Sequence, residues 1–298
     1  GDSGSRFGHD IASLGDVTGD GIEDFAVSAP YADGYAGAVY ILSADAAGSV
    51  DATRSAITLS GDAGDWVGWS VASAGDMDGD GTNDIVIGAP GTDGTGAVYI
   101  VLGGRGLTDL HLPTEADVVL VGESSGDYAG YSVASAGDLN GDGYDEIAVG
   151  SPGADSYNGA VYVAYGSRSG TYAEKTLGDA QSKINGATYS LLGLALDAGA
   201  DMDDDGTPDL LLGAPYETTT DDDGSTLAYS GAVHLVPGPV YGEFDVADAS
   251  FQYRGAERYE MIGSEVAIGG DVDGDNLSDG IIGAWSGSSG YMILTDLD

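Results

Sequence analysis

Asp76-Met-Asp78-Gly-Asp80-Gly-Thr82-Asn-Asp84-Ile-Val-Ile-Gly-Ala-Pro90 places four carboxylates at positions 1, 3, 5 and 9 of a loop, then an apolar run, then a Gly-Ala-Pro turn. The pattern recurs as Asp16-Val-Thr18-Gly-Asp20-Gly-Ile22-Glu-Asp24 and Asp138-Leu-Asn140-Gly-Asp142-Gly-Tyr144-Asp-Glu146. It returns as Asp201-Met-Asp203-Asp-Asp205-Gly-Thr207-Pro-Asp209 and Asp271-Val-Asp273-Gly-Asp275-Asn276-Leu277-Ser-Asp279. Ca²⁺ takes roughly six to eight oxygens from carboxylates, carbonyls and water. Alternate positions of a tightly curled loop point inward together, and position 6 must tolerate positive φ, which suits Gly and, next best, Asn276. The expected ligands are the side chains at positions 1, 3, 5 and 9, with the position-7 carbonyls of Ile22, Thr82, Tyr144, Thr207 and Leu277. Each copy is expected to hold one Ca²⁺, about five in all.

An EF-hand is the nearest competing reading. It requires a bidentate Glu at position 12 and helices on both sides. Position 12 here is Val27, Ile87, Val149, Leu212 and Ile282, all inside short apolar runs that read as buried strands. The site is therefore expected between two strands. Metal-free Asp/Gly turns would explain one such loop; five at one phase point to a ligand set.

The repeat extends beyond the loop. First-Asp spacings are 60, 62, 63 and 70 residues. Each unit opens with an apolar or aromatic residue and Gly: Phe7-Gly8, Val67-Gly68, Ala129-Gly130, Leu192-Gly193 and Ile262-Gly263. A small alternating segment, the Asp loop, the apolar run and the Gly/Ala/Pro turn follow. A third strand starts at Gly37, Gly96, Gly159, Gly231 and Gly290, and a fourth covers Ile57–Leu59, Val119–Val121, Lys183–Ile184 and Phe251–Tyr253. Four short strands per unit of this length predict an all-β chain. The expected fold is a β-propeller of about five four-stranded blades, with a calcium loop between strands 1 and 2 of each. One propeller domain is expected over 1–298, with repeats at about 1–60, 61–121, 122–184, 185–253 and 254–298.

The Phe-Gly opening, Asp loop and Gly-Ala-Pro turn resemble FG-GAP repeats, as in the propeller of integrin α subunits and of many bacterial surface proteins. The resemblance runs through nearly the whole chain, although the fifth unit has Asn276 for Gly and Trp285 for Pro. It implies that the Asp loops hold Ca²⁺, that the domain binds partners, and that it is not catalytic. Such propellers commonly have seven blades, so seven are expected if the chain is a fragment. The segments make 19 strands, one short of 20, because Gly1-Asp-Ser-Gly4 aligns with Gly61-Asp-Ala-Gly64, just after a fourth strand. Three expectations follow: a three-stranded last blade, a piece of something longer, or a strand supplied by a neighbouring molecule. The last would give self-association through an incomplete blade, and a monomeric mass in dilute solution would exclude it.

The chain carries 50 acidic and 8 basic residues, a formal charge of −42, 52 Gly and no Cys. Five Ca²⁺ would bring the charge only to −32, so the loops' 18 carboxylates do not account for the acidity. The remainder resembles proteins of salty environments, or an acidic surface that serves solubility. Nucleic acid and anionic membranes are poor partners for this field, and no apolar run is long enough to span a bilayer. An extracellular or cell-surface location is expected.

In an up-and-down blade the 1–2 and 3–4 connections share one face, so Ca²⁺ would stiffen that face. The opposite face carries Tyr31, Tyr35, Trp66, Tyr128, Tyr157, Tyr189, Tyr216, Tyr229, Tyr259 and Trp285. These aromatics either pack over the Gly-rich blade tops or supply contact area for a protein or glycan partner. The longest loop there, Tyr216–Ser230, carries Asp221-Asp-Asp223, a solvated acidic turn, a binding loop or a sixth cation site. His9, His111 and His234 fit no metal or triad pattern. His111 is placed in a 3–4 connection on the calcium-loop face, and His234 replaces the Tyr found at 40, 99 and 162. The resulting expectation is a non-catalytic recognition or adhesion module. The alternatives are a structural subunit that assembles by strand exchange, or a polysaccharide lyase or glycosidase with two facing carboxylates at the propeller centre.

Overall fold

The computed structural model describes residues 4–44, 57–104, 106–168, 176–221, 223–248 and 251–286, with the backbone of 291–293. The first repeat contains β1 (Ile11–Gly15), β2 (Asp24–Ala29), β3 (Ala38–Ser43) and β4 (Ile57–Ser60). The second contains β5 (Ser70–Gly75), β6 (Asp84–Ala89), β7 (Ala97–Val101), β8 (Leu110–His111) and β9 (Val118–Val121). The third contains β10 (Ser132–Gly137), β11 (Glu146–Ser151), β12 (Ala160–Ala164) and β13 (Ser182–Asn185). The fourth contains β14 (Leu196–Ala200), β15 (Asp209–Ala214), the hairpin β16 (Thr219–Thr220) and β17 (Thr226–Leu227), β18 (Ala232–Val236), β19 (Gly242–Asp245) and β20 (Phe251–Arg254). The fifth contains β21 (Ile262–Ile268), β22 (Gly280–Ala284) and β23 (Tyr291–Ile293).

Each repeat is one antiparallel meander, and the meanders stack as the blades of a β-propeller. The second strands β6, β11 and β15 are buried along their whole length, because both their faces meet a neighbouring blade. That explains their continuous apolar sequences. Inner strands such as β5 alternate instead, one face toward a blade and the other toward the axis. Four apolar cores fill the seams between consecutive blades. Leu14, Val39 and Ile41 meet Ile85 and Tyr99 in the first; Val86 and Ile100 meet Ile147 and Tyr162 in the second. Ala148 and Val163 meet Leu210 and Leu212 in the third; Leu211 and Leu235 meet Ile262 and Ile282 in the fourth. Full burial of each Val, Leu or Ile side chain among these is worth about 1.5–3 kcal/mol.

Backbone approaches backbone where blades join. Gly37, Gly96, Gly159 and Gly231 each form an isolated parallel bridge with the residue before the next repeat's opening Gly. A Cβ on Gly159 would lie 2.3 Å from the Leu192 N and O, and its φ is +83°. Only Gly satisfies both conditions.

Two sheets have more strands than expected. The 3–4 connection of the second repeat climbs the outer edge of the first blade, where β8 pairs in parallel with β4. In the fourth repeat β19 does the same to β13 of the third blade, and Thr176 bridges to Val121 at the edge between them. Blades one and three are thus five-stranded, blades two and four are four-stranded, and blade five has three strands among the described residues. The physical reason is that an outer strand presents unpaired N–H and C=O groups, which the next repeat's connection satisfies. This also corrects the placement of His111. It lies on β8 at the rim, with its Nε2 3.5 Å from Asp62 Oδ1 of the opposite-face loop. Among the described residues no helix is long and apolar enough to cross a membrane.

The inner strands of all five blades surround an axial cavity of about 740 Å³. Side chains on these strands, or just before them, clamp adjacent blades. The Val71 amide donates to Asp10 Oδ2 at 2.8 Å, the Val133 amide to Ser70 Oγ at 3.3 Å, and the Ile268 amide to Asp197 Oδ2 at 2.7 Å.

Candidate metal centres

The Asp loops lie where the first strand of a blade hands over to the second. In the first four repeats a register shift just before the loop inserts one extra residue, Gly15 (φ +70°) among those that absorb it, and the chain turns out of the sheet. Position 2 then anchors the loop: Val17, Met77, Leu139 and Met202 are at most 1 % exposed and plug the seam cores. In the fifth repeat the same position, Val272, is 55 % exposed.

Backbone amides organise the carboxylates. At position 1, Oδ1 of Asp76 accepts from the Asp80 amide at 3.0 Å and Oδ2 from the Gly81 amide at 2.9 Å; Asp16 and Asp138 do the same. Asp201 and Asp271 accept from Gly206 and Asn276, the latter at φ +75°. Position 9 is buried in every repeat (Asp24, Asp84, Glu146, Asp209, Asp279) and accepts an amide from the start of its own loop. Asp84 Oδ1 accepts from Gly103 at 2.8 Å and Asp209 Oδ1 from Gly238 at 3.0 Å, so the 3–4 connection lies against the loop as expected.

Three of the loops bring their position 1, 3 and 9 carboxylates together, each with an oxygen within 4.8 Å of the others: Asp76, Asp78 and Asp84; Asp201, Asp203 and Asp209; Asp271, Asp273 and Asp279. Thr18 and Asn140 hold position 3 in the remaining two, where the donor is a neutral oxygen. The position-5 carboxylates Asp20, Asp80, Asp142, Asp205 and Asp275 stand apart from these trios and accept the position-7 amides of Ile22, Thr82, Tyr144, Thr207 and Leu277. These clusters could hold a metal ion, and their chemistry fits a hard one. Asp201 Oδ1 is a buried oxygen with no hydrogen-bond partner among the described residues, and the buried Asp24 Oδ1 has nothing firmer beside it than the Thr18 hydroxyl. In the third loop the Asn140 side-chain amide turns its donor toward Asp142 and Glu146 at 3.1 and 3.3 Å. Buried acceptors without donors are costly, and a cation relieves them.

Electrostatics point the same way. Burial pushes Asp84 and Glu146 up to about 7 and Asp209 to about 6. Burial, with neighbouring carboxylates adding to it, also raises Asp24, Asp78 and Asp203. Asp205, held by Thr207, moves the other way. Of the Asp221-Asp-Asp223 turn, the middle residue lies outside the described residues; Asp221 Oδ1 accepts the amides of Asp223 and Ser225 and so closes the β16–β17 hairpin.

The opposite face holds the aromatics, with a hub that sequence reading passed over. Trp69 lies 5.0 Å from the His9 ring, 5.6 Å from Trp66, 5.3 Å from Tyr131 and 6.3 Å from Tyr31, at the mouth of the axial cavity. Arg6 stacks on Tyr31 at 4.2 Å. The signal was present one residue after the opening Gly, where His9, Trp69 and Tyr131 share a phase. A second group joins Tyr216 to Tyr229 and Trp285, and Tyr229 to Tyr259. Tyr35, Tyr157, Tyr189, Tyr259 and Trp285 are at least half exposed. Inside the fourth blade His234 is buried, its Nε2 2.9 Å from Glu217 Oε2, while Gln252 donates to Glu217 Oε1. His234 thus stands where the other repeats carry the strand Tyr at 40, 99 and 162.

Comparison with known proteins follows the same repeat. The FG-GAP repeat model matches residues 7–42, 67–101, 129–164 and 192–236 and leaves the divergent fifth unit unmatched. Integrin alpha-PS2 of Drosophila melanogaster is 34 % identical over 212 residues, 67 % of this chain and 14 % of its own length. Integrin alpha-5 of Xenopus laevis is 34 % identical over 227 residues, 72 % of this chain and 20 % of its own. Phosphatidylinositol-glycan-specific phospholipase D of Rattus norvegicus is 40 % identical over 163 residues, 50 % of this chain and 18 % of its own. The chain thus spans a fifth or less of the length of these relatives. With four matched units spread over four successive blades, the chain belongs to the FG-GAP repeat family, in its integrin alpha-like form.

Proposed function

We propose that this chain is a calcium-stabilised recognition or adhesion propeller that works outside the cell or at its surface. Its metal-holding loops stiffen one face, and its aromatic loops meet an extracellular protein or glycan on the other. The observation that carries the reading is the separation of the two chemistries across each blade. Buried, partly unsatisfied carboxylates gather at the 1–2 loops, and half-exposed Tyr and Trp gather at the 2–3 and 4–1 loops. Ca²⁺ fits donors that are all oxygen, and about five ions would bind, one per loop, through positions 1, 3, 5 and 9 and the position-7 carbonyl. Position 5 and the carbonyl would turn inward on binding. When bound, the ion supplies only positive charge and oxygen coordination; the chain's residues hold the hairpin, exclude water from position 9 and fix the loop to the seam.

A non-enzymatic role is preferred because the axial carboxylates are committed. Asp10 takes the Ile11 and Val71 amides on its two oxygens, and Asp197 takes those of Ala198 and Ile268. Glu265, also on the axial cavity and raised by burial and by Asp10, is the residue that keeps a polysaccharide-cleaving alternative open. Titration of chelated protein with Ca²⁺, followed by capture on a panel of matrix proteins and glycans, tests the proposal. We expect about five ions and capture that is lost in Tyr259→Ala/Trp285→Ala. Turnover of a polysaccharide, abolished by Glu265→Gln, would replace the proposal with the enzyme reading.

A further inference from the structure

The aromatic face contains a second cavity, of about 620 Å³, between the 4–1 connection that enters the third blade and that blade's own 2–3 connection. Its floor is polar. Tyr162 Oη and Lys183 Nζ both donate to Glu123 Oε1 at 2.8 Å, and the Lys183 ammonium lies 5.2 Å from the Tyr162 ring centroid. Burial pushes Glu123 up, but these two donors outweigh it and leave its carboxyl below the ordinary value. Asp127 lines the same cavity at 6 % exposure. Its Oδ2 takes the Ser124 amide at 2.8 Å, and its Oδ1 has no hydrogen-bond partner among the described residues. In the second repeat Thr92 stands beside the equivalent Asp65; in the third that residue is Ala154, and the hydroxyl is gone. At the rim Tyr157 and Tyr189 are 50 % and 60 % exposed.

The occupant must satisfy an acceptor in Asp127 and a donor in Lys183 at once. A second cation is disfavoured, because the chain's own ammonium already fills the cationic position over Tyr162, and like charges at this distance repel. An anion meets Glu123, Asp127 and Asp155 together with the field of a chain of charge −42. A sugar hydroxyl both donates and accepts, and the C–H face of a pyranose fits an exposed Tyr ring. The volume lies within the roughly 300–1,000 Å³ of small-molecule sites.

We propose that this cavity is a carbohydrate subsite for a pyranose of a neutral glycan, with Asp127 accepting from ring hydroxyls, Lys183 donating to them, and Tyr157 and Tyr189 packing on the sugar face. The proposal rests on the recognition role given above to the aromatic face and names its ligand class.

Ligand-observed NMR on the Ca²⁺-loaded chain, with methyl glycosides of glucose, galactose, mannose and N-acetylglucosamine, tests it, alongside methyl glucuronide and a lysine-bearing peptide. Asp127→Asn keeps an oxygen for the Ser124 amide, and Tyr189→Ala changes only an exposed ring, so an unchanged thermal midpoint certifies the fold of each. We expect saturation transfer to at least one neutral glycoside, none to the glucuronide, and binding about tenfold or more weaker in Asp127→Asn and Lys183→Met. Equal binding of neutral glycosides by wild type and variants would overturn the subsite while leaving the recognition role standing. Binding of the peptide alone would overturn the ligand class. Binding of neither would overturn the subsite and, with failure of capture on matrix proteins, the recognition role as well.

Discussion

Chelation should reverse the pH dependence of stability. Asp84, Glu146 and Asp209 are at most 1 % exposed and ionise at about 7, 7 and 6 because burial disfavours their charge. Their ordinary values are 3.8, 4.5 and 3.8. The folded values lie above the unfolded ones, so without metal the folded chain holds protons that the unfolded chain releases. Their contribution is therefore full below about pH 4 and is lost as pH rises through 6 to 7. Each pH unit in that window is worth about 1.4 kcal/mol per group. Acidifying chelated protein from pH 8 to pH 5 should restore about 2–3 kcal/mol for each of Asp84 and Glu146 and about 1 kcal/mol for Asp209. Asp24, Asp78 and Asp203 act in the same direction. With Ca²⁺ present the sign inverts, because protons then compete with the ion for the same oxygens. Scanning calorimetry at pH 8, 6.5 and 5, with chelator and with Ca²⁺, would show the chelated midpoint rising, the loaded midpoint falling, and the two converging near pH 5. A chelated midpoint that falls alongside the loaded one, or no effect of chelator at pH 8, would refute the reasoning.

Asp84→Asn removes a buried charge, so it should raise the midpoint of chelated protein at pH 8 and lower that of Ca²⁺-loaded protein; a like-signed shift in both would mean the carboxylate does not serve a cation. Gly159→Ala should cost about 2–4 kcal/mol by urea unfolding, since the new Cβ meets Leu192 backbone at 2.3 Å, whereas Gly143→Ala, with open space at φ +90°, should cost only about 1 kcal/mol. Ser156 sits at φ +64° where the sister turns carry Gly34 and Gly94, so Ser156→Gly should stabilise by about 0.5–1 kcal/mol in the same assay. His234→Phe should cost about 2–4 kcal/mol, measured the same way, because the buried Glu217 loses the partner of its Oε2 and keeps only Gln252 on Oε1.

Most of the blade was legible because its signals are local and repeated. The Asp loop, the apolar second strand and the Gly-Ala-Pro turn each follow from a few adjacent residues, and the copies reinforce one another. The position-2 anchors Val17, Met77, Leu139 and Met202 were visible as apolar residues within acidic loops, yet their purpose emerges only from the seam they plug. The β8 and β19 edge strands were not legible. They have 2 and 4 residues, no periodicity, and are extended because a preceding blade offers them an unpaired edge. Asp10 and Asp197 read as two more acids among 50 acidic residues, because the amides they accept belong to strands about 60 and 70 residues away.

The sequence alone determined the blade: its strand order, the face that carries the carboxylates and the face that carries the aromatics. These depend on spacing within one repeat, which the chain carries wherever it goes. The tertiary structure decided which residues from different repeats meet. Only stacking places Trp69 between His9 and Tyr131, joins Asp10 to Val71, and opens the cavity in which Asp127, Glu123 and Lys183 converge. Those encounters depend on the angle and separation between blades, which close-packed seams set and no local pattern records.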